Sequence, residues 1–373
     1  MAQQIIGVAL VGTGFGQKVH LPGFQAHHRT QVVAVYHRDR DRAQEIAQAH
    51  HIPYACQTIA EVVSLPEVQA VSIATPPFLH YEMAKPVLQA RKHLLLEKPT
   101  TLCVTEAQEL YQLAQANSVV TALDFEFRFV PAWQRFAELL SEGYVGQKRL
   151  IKIDWLVSSR ADAARPWNWY SQKAKGGGAL GALASHAFDY INWLFGSVRR
   201  LFARLDTAIP MRPDADTGEM KPVDADDTCM LLLELADGTL CNVCISASTF
   251  QGRGHWIEVY GDHGTLVLGS DNQKDYVHGF RLWAASAGEP LTEVEIPQRL
   301  DFPRTYADGR IAPFIRVVDR WVQGIDAGKS LTPSLREGVY SQLLMDLSHT
   351  SNERGVWVDV PDLTNIAEVR DQD

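Results

Sequence analysis

A change of rhythm at about residue 124 restricts the fold more than any other feature of the sequence. Before it, short apolar runs at Ile5–Val11, Gln31–Tyr36, Val68–Ala74, His93–Glu97 and Val119–Asp124 alternate with helical patterns at Arg40–Ala49, His80–Ala90 and Thr105–Ala116. Thr105 is placed to cap the last of these, with Gln108 completing a capping box. Strands that alternate with helices form βαβ units with right-handed crossovers, so the sheet they build is parallel. After residue 124, runs at Arg149–Val157, Thr228–Ala236, Thr239–Ala247 and His255–Tyr260 follow one another with few helices between. The Asp237-Gly238 pair inside Leu235–Leu240 is a strong hairpin signal. The pattern therefore predicts an α/β protein. Residues 1–124 form a doubly wound parallel sheet. Residues 125–373 form an α+β domain with a large, mostly antiparallel open sheet, and its last helices are free to pack back on the first domain. The polar, proline-containing stretch Asp206–Asp227 reads as a loop.

Composition narrows the class. Of the 373 residues, 46% are hydrophobic and 21% charged, the balance of an ordinary globular protein. The net charge of −9 comes from interspersed acids and bases, and without a basic patch the sequence predicts no nucleic-acid partner. No apolar run approaches the ~20 residues that span a membrane, and Met1–Gln4 lacks the marks of a signal peptide, so the expected location is the cytoplasm. The five cysteines are irregularly spaced. Cys241 and Cys244 lie three apart on a strand, hence on opposite faces, and read as buried thiols rather than half of a zinc site. No metal is expected, and the carboxylates of Asp224, Asp226 and Asp227 read as capping or solvated.

The chemistry concentrates where apolar runs end. Gly12 and Gly14 directly follow the first strand. Gly12 suits a tight turn, and Gly14 allows a pyrophosphate to approach backbone N–H groups at a helix start. Gln17 stands where a third glycine is usual, and Gly16 lies one residue early; Phe15 completes the turn. An acidic residue about 20 positions on normally holds the ribose 2′-hydroxyl of NAD, but the position is His37, followed by Arg38 and then Asp39. Arg38 suits a 2′-phosphate, so the expected cofactor is NADP in preference to NAD; the other reading gives Asp39 the acidic role and leaves Arg38 solvated. Thr75, Pro76 and Pro77 form a stiff turn before His80, and Glu97-Lys98-Pro99 ends a buried strand. Ligands of doubly wound sheets bind beyond the carboxyl ends of the strands, which makes Thr75, Pro76, Pro77, His80, Glu97 and Lys98 cofactor-binding candidates alongside Gly12, Gly14, Phe15, Gly16, His37 and Arg38.

Taken together, the glycine turn, "ATPPFLH", "EKP", and "GGGALGALASHAFDYINWLFG" in the second half resemble the Gfo/Idh/MocA oxidoreductases. The likeness covers nearly the whole chain, including "VYGDHGTLVL" and the segment near Pro313–Ile325. It implies an N-terminal Rossmann domain, a nicotinamide cofactor, and hydride transfer on a sugar, cyclitol or related polyhydroxylated molecule. It also implies a cis bond at Lys98–Pro99 and a catalytic role for Lys98, whose ammonium would stabilise charge developing on the reacting oxygen. The family's catalytic histidine matches His186. Many members carry an aspartate four residues before it, where this chain has Ala182. Asp189 shares a helix face with His186 and is the candidate partner for proton transfer. Trp167 and Trp169 are read evenly as sugar-stacking or packed rings, Trp155 and Trp193 as core. Arg128 and Arg165 are further candidate substrate contacts. Apart from the resemblance, the open sheet of the second half predicts a homodimer or homotetramer, because an uncovered apolar sheet face seeks a partner. Two other readings stay open: Ala182 suits a cofactor- or metabolite-sensing protein without turnover, and the same fold serves reductases or dihydrodiol-type dehydrogenases.

Overall fold

The computed structural model describes residues 4–272, 275 and 277–362, and groups them into two compact units. The first comprises residues up to Glu126 together with Tyr306–Gln342. Its sheet contains β1 (Ile6–Val11), β2 (Thr30–Tyr36), β3 (Tyr54–Cys56), β4 (Ala70–Ile73), β5 (His93–Leu96) and β6 (Thr121–Leu123), in the order β3-β2-β1-β4-β5-β6. Every pairing is parallel. This is the strand order of a dinucleotide-binding Rossmann sheet, whose switch point lies between β1 and β4. β1 and β4 are buried along their whole length, as strands covered on both faces must be. Val, Leu and Ile side chains dominate this core, each contributing about 1.5–3 kcal/mol through burial.

The helices of this unit are α1 (Leu21–Ala26), α2 (Arg40–Ala49), α3 (Ile59–Ser64), α4 (His80–Gln89) and α5 (Val104–Ala116). Thr105 does not cap α5: the helix starts at Val104, its N-cap is Cys103, and Glu106 reaches back to accept the Leu102 N–H at 3.1 Å. An acidic residue in the first turn thus does what a threonine cap was expected to do, at the end of the helix where the dipole favours negative charge. α8 (Ile311–Ala327), from the far end of the chain, packs on α1. A Cβ at Gly23 would lie 2.4 Å from the Phe314 ring, so only glycine permits that approach.

The second unit holds Phe127–Thr305 and Leu343–Asp362. Its sheet has the order β16-β15-β14-β13-β7-β12-β11-β8-β17, formed by β7 (Lys148–Leu156), β8 (Val198–Asp206), β11 (Thr228–Leu235), β12 (Leu240–Ser246), β13 (Gly254–Gly261), β14 (Gly264–Ser270), β15 (Arg281–Ser286), β16 (Thr292–Glu293) and β17 (Val358–Asp359). Only the β7–β12 pairing is parallel, so the sheet is mixed and mostly antiparallel. Strict alternation separates its faces: Leu231 and Leu233 are buried, whereas Met230 and Leu232 are about half exposed. α6 (Pro131–Ser141), α7 (Ser185–Phe195) and the later turns of α9 (Leu335–Arg354) belong to this unit. Asp206–Asp227 is not all loop, because β9 (Met211–Pro213) and β10 (Met220–Pro222) pair there as a short antiparallel ribbon. Its prolines sit at strand ends, where no ladder N–H is lost. Among the described residues, no helix is long and apolar enough to cross a membrane.

Candidate active site

The glycine turn is set by contact with the neighbouring strand. Gly12 has φ +110°, and a Cβ there would lie 2.4 Å from the Ala74 carbonyl oxygen beyond β4. Gly14 faces open space, with no described atom within 4 Å of where its Cβ would stand. Gly16 does the close packing expected of the missing third glycine: its Cβ would meet Leu10 and Ala74 side chains at 3.2 Å. The chain then makes a π-helical turn over Gly16–His20 before α1, which accommodates Gln17. Phe15 lies edge-on to His20 at 5.5 Å and under the Arg310 guanidinium at 4.9 Å.

At the end of β2, Asp39 is the N-cap of α2 and accepts the Asp41 and Arg42 N–H groups at 3.0 and 3.3 Å. Arg38 is exposed, and no described residue hydrogen-bonds or pairs with its guanidinium. His37 uses Nδ1 on the Asp39 backbone. At the end of β4, Thr75 Oγ1 is buried without a hydrogen-bond partner among the described residues. Pro77–Leu79 form a single 3₁₀ turn leading into α4. His80 is fully buried, with Nε2 2.8 Å from the Thr75 carbonyl and Nδ1 2.9 Å from that of Pro99. It ties two strand-end loops together, with its ring enclosed between them. Burial lowers its pKa, since a charged imidazole there would lose hydration. The Lys98–Pro99 peptide is cis, Lys98 is half-buried, and its N–H donates to Glu97 Oε2 at 3.1 Å.

Glu97 belongs to a cluster absent from the sequence reading. His20 is 0% exposed, with Nδ1 2.8 Å from Ser72 Oγ and Nε2 3.0 Å from Glu97 Oε1. Asp124 Oδ2 lies 3.4 Å from the same Nε2. The ring stacks on Phe314 at 4.1 Å. Burial opposes charge on His20, but the two carboxylates outweigh it and raise the pKa to about 9. Burial and the Glu97 charge push Asp124 up to about 7, whereas Glu97, despite its own burial, is held low by His20. The three ligand atoms lie within 4.8 Å of one another, a spacing a divalent cation also accepts.

In the second unit, the tri-glycine segment wraps around a buried carboxylate. Gly178 has φ +99°, and its Cβ would lie 2.4 Å from Asp226 Oδ1. Asp226 accepts the Leu180 N–H at 2.8 Å, at the start of a second π-helical turn, Leu180–Ala184. Ala182 lies in that turn, and α7 follows. His186 is 3% exposed, 5.0 Å edge-on from the Phe127 ring and 6.1 Å from that of Trp155. Asp189 is bound to Arg128 through Nε–H to Oδ2 at 2.8 Å and Nη2–H to Oδ1 at 2.6 Å. Arg128 is only 7% exposed and lies against Trp193. These two residues thus come together as a buried forked ion pair, a scaffold geometry. Trp155 is core, stacked on His255 at 4.2 Å. Trp167 donates its indole N–H to the Pro222 carbonyl at 2.9 Å, docking on the β9–β10 ribbon. The Trp169 and Tyr170 carbonyls close over Gly177. Arg165 is exposed and caps the Ser159 carbonyl at 2.7 Å.

The first unit therefore brings Gly12, Thr75, His80, Glu97 and Lys98 to one edge of one sheet. Sequence reasoning missed His20 and Asp124. Their signal was present: a histidine within the apolar pattern of the first helix, and two carboxylates ending apolar strands of the same parallel sheet.

A family model described as the oxidoreductase family, NAD-binding Rossmann fold, matches residues 6–125, and the same family's C-terminal α/β domain matches residues 137–360. An uncharacterized oxidoreductase of Synechocystis, sll0816, is 56% identical over 360 residues, covering 96% of this chain and 97% of that protein. Levoglucosan dehydrogenase of Pseudarthrobacter phenanthrenivorans is 27% identical over 396 residues, covering 97% of this chain and all of that protein. A solved structure of levoglucosan dehydrogenase in complex with NADH and levoglucosan superposes with a TM-score of 0.87 at 25% identity, covering 96% of this chain and 100% of that one.

Proposed function

The chain belongs to the Gfo/Idh/MocA oxidoreductase family, and from that premise we propose that it is a dehydrogenase moving hydride between NAD(P) and a secondary alcohol of a polyhydroxylated small molecule, a sugar or cyclitol. The observation that carries the reading is the meeting of the glycine turn and the Glu97-Lys98 end of β5 at one edge of the parallel sheet, separated by β4 alone. A relative that takes NADH and levoglucosan together supports the substrate class.

The residues present fit a dinucleotide. Gly14 leaves open space for a pyrophosphate, and Thr75 Oγ1 is a buried hydroxyl lacking a partner among the described residues. Gly12, Gly14, Phe15 and Gly16 would hold the diphosphate, His37 and Arg38 the adenosine ribose, and Thr75, Pro76, Pro77 and Lys98 the nicotinamide side. The cofactor, when bound, accepts or supplies the hydride. Lys98 steadies negative charge on the reacting oxygen. His186 takes or returns the hydroxyl proton, and Arg128 with Asp189 holds the helix that carries it. Arg38, exposed and without an ion-pair partner among the described residues while Asp39 is used as a cap, favours NADP over NAD. Substrate stacking falls to Trp169, and Trp167 supports its loop. Leu150, Met230, Leu232, Leu240 and Tyr260 share one exposed face of the large sheet; such apolar area supports assembly as a homodimer or homotetramer.

Purified protein given NADP or NAD with a panel of sugars, cyclitols and dihydrodiols, followed by nicotinamide absorbance, tests this. Reduction with a sugar or cyclitol, faster with NADP, is the expected result. Reduction with dihydrodiols alone, or none with any of them, would overturn it.

A further inference from the structure

The cluster at the ends of β5 and β6 needs more protons than its histidine supplies. Nδ1 of His20 is spent on Ser72 and Nε2 on Glu97. Asp124 Oδ2 stands 3.4 Å from that same Nε2, and neither Asp124 oxygen completes a hydrogen bond among the described residues, though the residue is 1% exposed. One N–H cannot satisfy two carboxylates. An ionised Asp124 would be a buried charge pressed against a second one.

We infer that Asp124 is a neutral carboxylic acid in the folded protein, sharing its proton with Glu97, and that its ionisation adds a negative charge at the Lys98 end of the sheet that favours the oxidised, cationic nicotinamide over the reduced one. The link to nicotinamide rests on the proposed function; the shared proton does not. Among the described residues, Asp124 faces His20 from the turn before α1 and Glu97 from the end of β5, and Glu97 in turn faces Lys98 beside it and His80 from α4. Ser72, Phe24 and Phe314 close the remaining sides of His20. Burial and the Glu97 charge hold the Asp124 carboxyl near neutrality, at about 7, so its ionisation falls within the working range. His20 Nε2 already lies at hydrogen-bond distance, 3.0 Å, from Glu97 Oε1, so a metal at this convergence of three ligand atoms would have to displace that bond.

Linkage makes the effect reciprocal: if ionised Asp124 favours the oxidised cofactor, that cofactor lowers the Asp124 pKa by the same factor. The test has two arms on the full chain. Carboxyl NMR of the ligand-free protein, with Asp124→Asn for assignment, should show Asp124 titrating near neutrality; titration in the ordinary carboxylate range, or stoichiometric zinc or manganese in the purified protein, overturns the shared proton. Dissociation constants of NADP+ and NADPH should then diverge as pH rises, the ratio shifting roughly fivefold or more toward NADP+ in the wild type and staying flat in Asp124→Asn. The same shift in both proteins, or in neither, overturns the link to nicotinamide. Failure of the proposed function itself would be read separately, in turnover with the substrate panel.

Discussion

Two buried histidines, one in each unit, show how surroundings assign opposite states to one side chain. His20 lies among two carboxylates and a hydroxyl, and is held charged, with a pKa of about 9. His255 lies among Trp133, Trp155, Tyr190 and Phe280, with Nε2 3.1 Å from the Tyr190 hydroxyl, and burial lowers its pKa to about 3. The Rossmann-type unit concentrates charge at the edge where a dinucleotide binds. The large-sheet unit surrounds His255 and His186 with aromatic rings and pairs the buried Arg128 with Asp189 in a fork. Each environment is fixed by which strand ends and helix faces meet.

Breaking the fork should give the largest effect. Asp189→Ala leaves a guanidinium buried without its counterion, and a loss of about 3–5 kcal/mol is expected in denaturant unfolding. The double variant Arg128→Met/Asp189→Leu should recover much of it, and equal losses in single and double variants would show that the pair does not act as a unit. Next comes His20. Its folded pKa of about 9 exceeds the ordinary 6.5, so its contribution is complete below pH 6.5 and is lost as pH rises through 9. Wild-type Tm should fall across that window by the equivalent of up to about 3 kcal/mol, and His20→Gln should flatten the fall. The smallest effect at neutral pH is at His255, where the sign of the pH dependence reverses. Its contribution is present above pH 6.5 and is lost as pH falls toward 3. His255→Phe should cost about 1 kcal/mol at neutral pH through the orphaned Tyr190 hydroxyl and flatten the acid limb of Tm against pH. An unchanged acid limb would remove His255 from it.

The contrast also explains what was legible in the sequence. Period and punctuation gave the parallel sheet, the later antiparallel sheet and the glycine turn, because these are local. β3 has three residues and the β9–β10 strands three each, too short to register as periodic runs. Long-range pairings carried no local mark. Arg128 and Asp189 lie 61 residues apart, and no local pattern marks that they bind each other. Nothing local marks the partners of His20, and Asp124 reads only as a strand end, because Glu97, which lies against His20, stands 77 positions further along the chain. Gln17 looked like a defect in the glycine motif; the π turn and Gly16 absorb it.

Lys98→Met tests the account most directly, with NADP(H) affinity and turnover measured on the same preparation. The prediction is nearly unchanged cofactor binding with turnover reduced about 10²–10³-fold, as for loss of a group that stabilises charge only as it develops. Wild-type turnover in the variant would contradict it.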